Sequence, residues 1–136
     1  MEKQNGNGTT FDGRILTDGE LTRLVSAEMI KMGFVPSLKG FPCMRELVLL
    51  ALKEQKVDKL MKMYDTVAEK FGTKGESLER NARTLVSKSY YHDEGFANLY
   101  GYFGLRVTYT PPTVGQILAL FTEYMAAVLF DKNFAF

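Results

Sequence analysis

The stretch Tyr64–Tyr90, YDTVAEKFGTKGESLERNARTLVSKSY, decides the fold of this chain. Its first part predicts a short helix that carries the small residue Ala68, where a second helix would cross closely. Gly72, four residues later, supplies the backbone conformation that ends a helix. A longer amphipathic helix follows over residues 76–90. Two helices joined by so short a turn are typical of a helix-turn-helix motif.

The second helix of this pair separates into two chemically different faces at about 100° per residue. The apolar side carries Leu78, Ala82, Leu85 and Ser89, with Val86 at its margin. The opposite side carries Glu76, Arg80, Arg83 and Ser87. The pattern therefore predicts one face packed on the domain and one exposed polar face that carries two arginines.

The exposed face has the chemistry that contacts DNA. The planar fork of arginine matches the O6 and N7 atoms of guanine, which favours Arg80 and Arg83 as base-contacting residues, and Glu79 on the flank of this face is a candidate acceptor for cytosine N4. The first turns of the second helix reach the bases in helix-turn-helix docking. Lys74 and Lys88, near the two ends, are predicted to contact phosphates, which fixes the register of the helix.

The charge distribution supports this interpretation. Residues 59–90 contain seven basic and four acidic residues, a balance of +3, whereas the whole chain has a net charge of +1. The alternative is a solvated helix face with salt bridges such as Glu76–Arg80 at i,i+4 spacing. Asn81 departs from the pattern, because many such motifs carry an apolar residue there.

The length of 136 residues corresponds to one domain. We expect residues 1–20 to form a flexible polar tail and residues 21–131 a helical DNA-binding domain. The predicted helices cover 21–32, 42–53, 59–64, 66–71, 76–90, 96–103 and 113–130, with Gly33 as a stop signal and Thr113 as an N-cap. Because no run of alternating residues argues for a strand, the predicted fold is all-α, with about six helices and an embedded helix-turn-helix.

The composition excludes several other classes of protein. One cysteine and one histidine do not supply a disulfide or a four-ligand zinc site, and Cys43 is predicted to be a small buried apolar residue. His92-Asp93-Glu94 is interpreted as a solvated turn, so we expect neither an enzyme nor a bound metal or cofactor. The longest apolar stretch, Ile117–Phe130, has 14 residues, and a membrane span needs about 20. We expect a cytoplasmic protein with no membrane partner.

Two motifs resemble a known family. Gly33–Val48, GFVPSLKGFPCMRELV, and Leu78–Arg83, LERNAR, are similar to the C-terminal DNA-binding domain of the stage zero sporulation response regulator. Pro112-Thr113, at the start of the last helix, is a weaker third match. The similarity covers about Leu24 to Phe130.

The resemblance implies a six-helix domain that binds duplex DNA sequence-specifically in transcription regulation. In this family the matching residues of the second helix face the major groove, so Glu79, Arg80 and Arg83 inherit that role. Ser77 stands where family members usually carry arginine, and its hydroxyl is predicted to contact phosphate instead. RNA polymerase is a further candidate partner. The chief alternative function is a helical protein-interaction module that kept the fold and lost DNA binding.

The family places a receiver domain before this one. Only 32 residues precede Gly33, too few for a domain, so we expect control by abundance, by a partner or by constitutive pairing. The last helix is apolar around most of its circumference, through Ile117, Leu118, Leu120, Phe121, Tyr124, Met125, Val128, Leu129 and Phe130. Such a helix is either buried in its own domain or forms a homodimer contact.

Overall fold

Six α-helices and one short two-stranded β-sheet make up the part of the chain that the structure, a computed structural model, describes: residues 8–11, 14–57 and 59–130. The elements are β1 Gly8–Phe11, β2 Arg14–Thr17, α1 Asp18–Met32, α2 Gly40–Glu54, α3 Leu60–Lys70, α4 Gly75–Tyr90, α5 Ala97–Tyr102 and α6 Val114–Phe130. The all-α class predicted from the sequence is confirmed.

The beginning of the domain differs from the flexible tail expected over residues 1–20. Strands β1 and β2 pair antiparallel, with Gly8 opposite Thr17 and Phe11 opposite Arg14. Helix α1 begins at residue 18 because Thr17 Oγ1 accepts a hydrogen bond from Glu20 N at 3.1 Å. Glu20 Oε1 accepts in return from Thr17 N at 2.8 Å, which completes a capping box. Helix α1 therefore begins three residues before the predicted start at residue 21, while residues 1–7, 12, 13, 58 and 131 of the two predicted segments lie outside the described part.

Helix α3 is continuous where two short helices were predicted over residues 59–64 and 66–71. The polar pair Asp65-Thr66 gave the appearance of a break in the apolar pattern. In the structure Thr66 Oγ1 donates a hydrogen bond to the carbonyl of Lys62 at 2.9 Å, one turn earlier. Thr66 therefore sits within the helix, and α3 extends from Leu60 to Lys70.

The predicted helix signals around α1 and α6 are confirmed. Gly33 follows α1 with φ +111°, a left-handed conformation that favours glycine, and its N–H donates to the carbonyl of Ile30 at 3.2 Å. Thr113 Oγ1 accepts from Gln116 N at 3.1 Å, and Gln116 Oε1 accepts from Thr113 N at 2.9 Å. This second capping box fixes the start of α6.

Helix α6 packs largely inside its own domain. Its buried residues include Ile117, Leu118, Phe121, Tyr124, Met125, Val128 and Leu129. Leu120 is half-buried, and the side chain of Phe130 lies outside the described part. The apolar circumference is thus explained mainly by burial, and Gln116, Ala119 and Glu123 form the strip that stays exposed.

A buried hydrogen bond joins α6 to α1. Tyr124 Oη donates to Glu28 Oε1 at 2.7 Å, and both residues are buried. Burial, together with the hydrogen bond to Glu28, raises the pKa of Tyr124 well above its ordinary value of 10.0. Since the folded protein holds this proton more tightly than the unfolded chain, the stabilisation is complete below pH 10 and is lost as the pH rises above it.

We predict that Tyr124→Phe lowers the free energy of unfolding by about 1–3 kcal/mol at neutral pH, because the Glu28 carboxylate loses its buried donor. Urea denaturation of both proteins from pH 7 to 11 measures this. The deficit of the variant should shrink above pH 10, because Tyr124 of the unfolded wild-type chain loses its proton there while the folded protein still holds it. Burial also raises the pKa of Tyr64 and Tyr100, but both proteins share these residues. A deficit that stays constant across this range would contradict the prediction.

Candidate nucleic-acid interface

Helices α3 and α4 form the helix-turn-helix pair that the sequence predicts. Ala68 is buried at 1% exposure and Leu78 is fully buried, so the two helices approach closely where the small residue lies. Gly72 has φ +62°, the left-handed conformation expected of it. Thr73 N donates to the carbonyl of Ala68 at 3.1 Å and closes the turn before α4.

Helix α4 has the two faces predicted from its spacing. The buried residues of α4 are Leu78, Ala82, Leu85, Val86, Ser89 and Tyr90. The exposed residues are Glu76, Arg80, Arg83, Thr84 and Lys88, and Ser77, Glu79 and Ser87 are half-buried. The outward face of α4, defined by these exposed residues, is therefore open to solvent.

The first sequence motif supports α4 from behind. Gly40 begins α2 so close to α4 that a Cβ atom there would meet the carbonyl oxygen of Asn81 and the Cβ atom of Leu85. After α1, Val35 N donates to the hydroxyl of Ser89 at 3.0 Å, near the end of α4. These contacts hold the buried side of α4 and leave its outward face uncovered.

Arg45 and Glu46 of the same motif tie helices together. Lys70 Nζ on α3 lies 3.0 Å from Glu46 Oε1 on α2. Arg45 Nη1 donates to Ser26 Oγ on α1 at 3.4 Å, and Arg45 Nε lies 3.6 Å from Glu46 Oε2. The motif therefore positions the helix-turn-helix within the domain.

The predicted base-contacting residues lie together on α4, with different surroundings. Arg80 is exposed and forms no ion pair with another residue that the structure describes. Arg83 Nε lies 3.8 Å from Glu79 Oε2, so the pair formed is Glu79–Arg83 and not the Glu76–Arg80 pair considered from the sequence. Burial first, and then the nearby Glu79 carboxylate, raise the pKa of Tyr64 on α3.

The predicted phosphate-contacting residues lie at the two ends of α4. Lys74 is the N-cap residue, exposed and extended, and its carbonyl accepts from Leu78 N at 3.0 Å. Ser77 follows in the first turn, half-buried. Lys88 is exposed in the last turn, roughly 21 Å from Lys74 along the helix axis at about 1.5 Å per residue.

Two acidic groups lie at the start of α4. The carboxylate of Asp65 on α3 packs against Gly75, close enough to fill the space of a Cβ atom there. Glu76 is in the first turn of α4. Negative charge is stabilised at the positive end of a helix dipole, so both carboxylates stabilise the start of α4. Both also lie near Lys74.

Thr84 is a further exposed residue on the outward face that sequence reasoning missed. It lies four residues after Arg80, so the two side chains are neighbours on one side of the helix. Its hydroxyl and methyl groups suit contacts with phosphate or with a thymine methyl group. The helical spacing that singled out Arg80 would also have found Thr84.

Cys43 and the segment His92-Asp93-Glu94 take the places predicted for them. Cys43 is buried, and burial raises the pKa of its thiol. His92-Asp93-Glu94 is an exposed turn after α4, with His92 Nε2 3.4 Å from Asp93 Oδ2. No group of three or more metal-ligating side chains occurs within residues 8–11, 14–57 and 59–130. None of the helices described has the length and apolar character needed to cross a membrane.

A second helix with a buried apolar face, an exposed face with two arginines and lysines at both ends defines a helix-turn-helix domain of the DNA-binding class. Residues 25–125 match the family model described as sporulation initiation factor Spo0A C terminal. The match covers more than half of the chain, so the chain belongs to this family. Its members are DNA-binding effector domains in transcription regulation, and the family is not a family of enzymes. A search of curated proteins gave no significant match.

Proposed function

We propose that this protein regulates transcription by binding duplex DNA sequence-specifically through the outward face of α4. The main support for this proposal is Arg80, which is exposed on this face and has no ion-pair partner among the described residues. Arg80 and Arg83 would contact guanine O6 and N7, and Glu79 would accept from cytosine N4. These three residues set the preferred bases.

The phosphate contacts of the proposal come from Lys74, Ser77 and Lys88. Lysines near both ends of α4 would contact phosphates on either side of the groove, and Ser77 would add a hydroxyl contact in the first turn. Such contacts fix position and carry no sequence information directly. They also make the affinity depend steeply on salt, because each neutralised phosphate releases counterions.

The Glu79–Arg83 pair is compatible with a role for Arg83 in base contact. The Arg83 side chain is 64% exposed, and exposed i,i+4 pairs contribute about 0.3–0.5 kcal/mol. A bidentate arginine–guanine contact contributes about 1–3 kcal/mol of discrimination. Arg83 therefore gains more from guanine than it loses by leaving Glu79.

Three further parts of the proposal concern partners and location. Pairing of two copies through α6 would use the exposed strip of Gln116, Ala119 and Glu123, and sedimentation at several concentrations tests it. If the protein is a monomer at every concentration, it does not pair through α6. RNA polymerase is the candidate protein partner of such a regulator, and the cytoplasm is the proposed location.

We predict that Lys88→Ala reduces the slope of log affinity against log salt by about 1 without changing the preferred bases. Fluorescence anisotropy of a labelled duplex at several salt concentrations measures the slope. The wild-type protein should itself show a steep slope. A wild-type affinity that does not change with salt would contradict DNA binding and favour the protein-interaction alternative. If the slope of Lys88→Ala equals that of wild type, only the assignment of Lys88 as a phosphate contact is wrong.

A further inference from the structure

A small cleft with three lysines lies between the end of α2 and the start of α3. Its volume is about 190 Å³, and Lys56, Lys59 and Lys62 are among its lining residues. Glu54 is the one carboxylate among those lining residues. Among the residues that the structure describes here, positive groups therefore outnumber negative ones on this concave surface.

Two of these lysines are well placed to bind an anion. Lys59 and Lys62 are exposed, and neither forms an ion pair with a carboxylate in the part of the chain that the structure describes. Lys59 caps the start of α3 in a left-handed conformation, with φ +46°. Thr66 also lines the cleft, but its hydroxyl donates to the carbonyl of Lys62. The two ammonium groups are thus the donors offered to a ligand.

The cleft is linked to the start of α4 through residues on one side of α3. Lys62 and Asp65 are three residues apart on α3, so they share one side of that helix. The Asp65 carboxylate in turn packs against Gly75 at the start of α4. The side of α3 that carries Lys62 therefore continues into the start of α4, where Lys74 lies.

The docking geometry of the motif indicates what occupies such a position. While the second helix of a helix-turn-helix lies in the major groove, the first helix crosses the DNA backbone. Here the first helix is α3, and the lysines lie at its beginning. A phosphodiester group offers only acceptor oxygens and a negative charge, which an ammonium group binds as a point charge.

We propose that this cleft binds a phosphodiester group of the DNA backbone beside the bases contacted by α4, through Lys59 and Lys62. The inference rests on the proposed function, since α3 crosses the backbone only when α4 lies in the groove. The contact fixes the register of the protein on the duplex and leaves its base preference to Arg80, Arg83 and Glu79.

The test compares the double variant Lys59→Asn/Lys62→Gln with wild type on a duplex selected by the wild-type protein. Asparagine is used at position 59 because it tolerates the left-handed conformation better than most residues. Arg106→Gln, at an exposed residue in the loop after α5, is the control; it removes one positive charge, as Lys62→Gln alone does. The double variant should lower the salt slope by about 1, keep the wild-type base preference in a random-pool selection, and leave the slope of the control unchanged.

A neutral methylphosphonate at single positions flanking the selected bases provides the second measurement. At one such position it should weaken wild-type binding and have no further effect on the double variant. Equal slopes for the double variant and Arg106→Gln would overturn the cleft proposal while leaving DNA binding by α4 intact. Absence of any salt-dependent duplex binding by wild type would overturn the proposed function and the cleft together. If the double variant is unfolded by circular dichroism, Lys62→Gln alone carries the same comparison.

Discussion

Replacement of Arg80 by alanine is expected to weaken binding to the preferred duplex by about 1–3 kcal/mol, roughly 5- to 150-fold. Arg80 is exposed on the outward face of α4, and no described carboxylate holds it. Its loss removes a bidentate base contact, so the requirement for guanine at one position should relax as well. Titration of the preferred duplex and of duplexes changed at single positions measures both effects.

The matched control for this variant is Arg23→Ala, which removes an exposed arginine from α1. It deletes the same side chain and charge and should leave affinity and base preference unchanged. Both substitutions are at exposed helix positions, so the free energy of unfolding should change by less than about 0.5 kcal/mol. If neither Arg80→Ala nor Arg83→Ala alters binding, the assignment of the base-contacting residues is wrong.

Gly40→Ala is expected to destabilise the fold by about 2–3 kcal/mol, toward the upper end of the usual cost of overpacking. The new methyl group would collide with the carbonyl oxygen of Asn81 and the Cβ atom of Leu85. Because both atoms belong to the backbone or to its first side-chain carbon, neither moves aside without displacing α4. Tm should fall by roughly 6–15 °C, measured by circular dichroism.

Gly101→Ala is the control for Gly40→Ala. Gly101 lies in α5, and a Cβ atom there would meet nothing within 4 Å. Alanine is preferred over glycine in a helix by up to about 1 kcal/mol, so Gly101→Ala should keep or slightly raise Tm. If the Gly40→Ala variant has the same Tm as the wild-type protein, α2 and α4 are not packed as closely as described.

Much of the fold follows from local sequence signals. The apolar period of α4 and the glycine at position 72 predict the helix pair, and Thr113 predicts the start of α6. The pairing of β1 with β2 was missed, because strand pairing depends on contacts between the two strands rather than on apolar alternation within each of them. The continuity of α3 was missed because Thr66 donates to the backbone within the helix, a bond that its sequence neighbours do not reveal.

The candidate site shows a similar division. Helical spacing alone placed Arg80 and Arg83 on the outward face, because residues opposite the apolar side of a packed helix face solvent. The choice between Glu76–Arg80 and Glu79–Arg83 depends on side-chain directions, which spacing does not determine. The close approach of Gly40 to Asn81 joins α2 to α4, and the cleft that Lys59 and Lys62 line lies between α2 and α3, so both features emerge only when the helices are packed.

Selection from a pool of random duplexes at low salt shows whether this chain recognises a DNA sequence through α4. We expect the wild-type protein to enrich a defined sequence containing guanine, and we expect Arg80→Ala to relax one position of that sequence while Arg23→Ala does not. If the wild-type protein enriches no duplex, sequence-specific DNA binding is wrong and a protein-interaction module with the same fold is favoured.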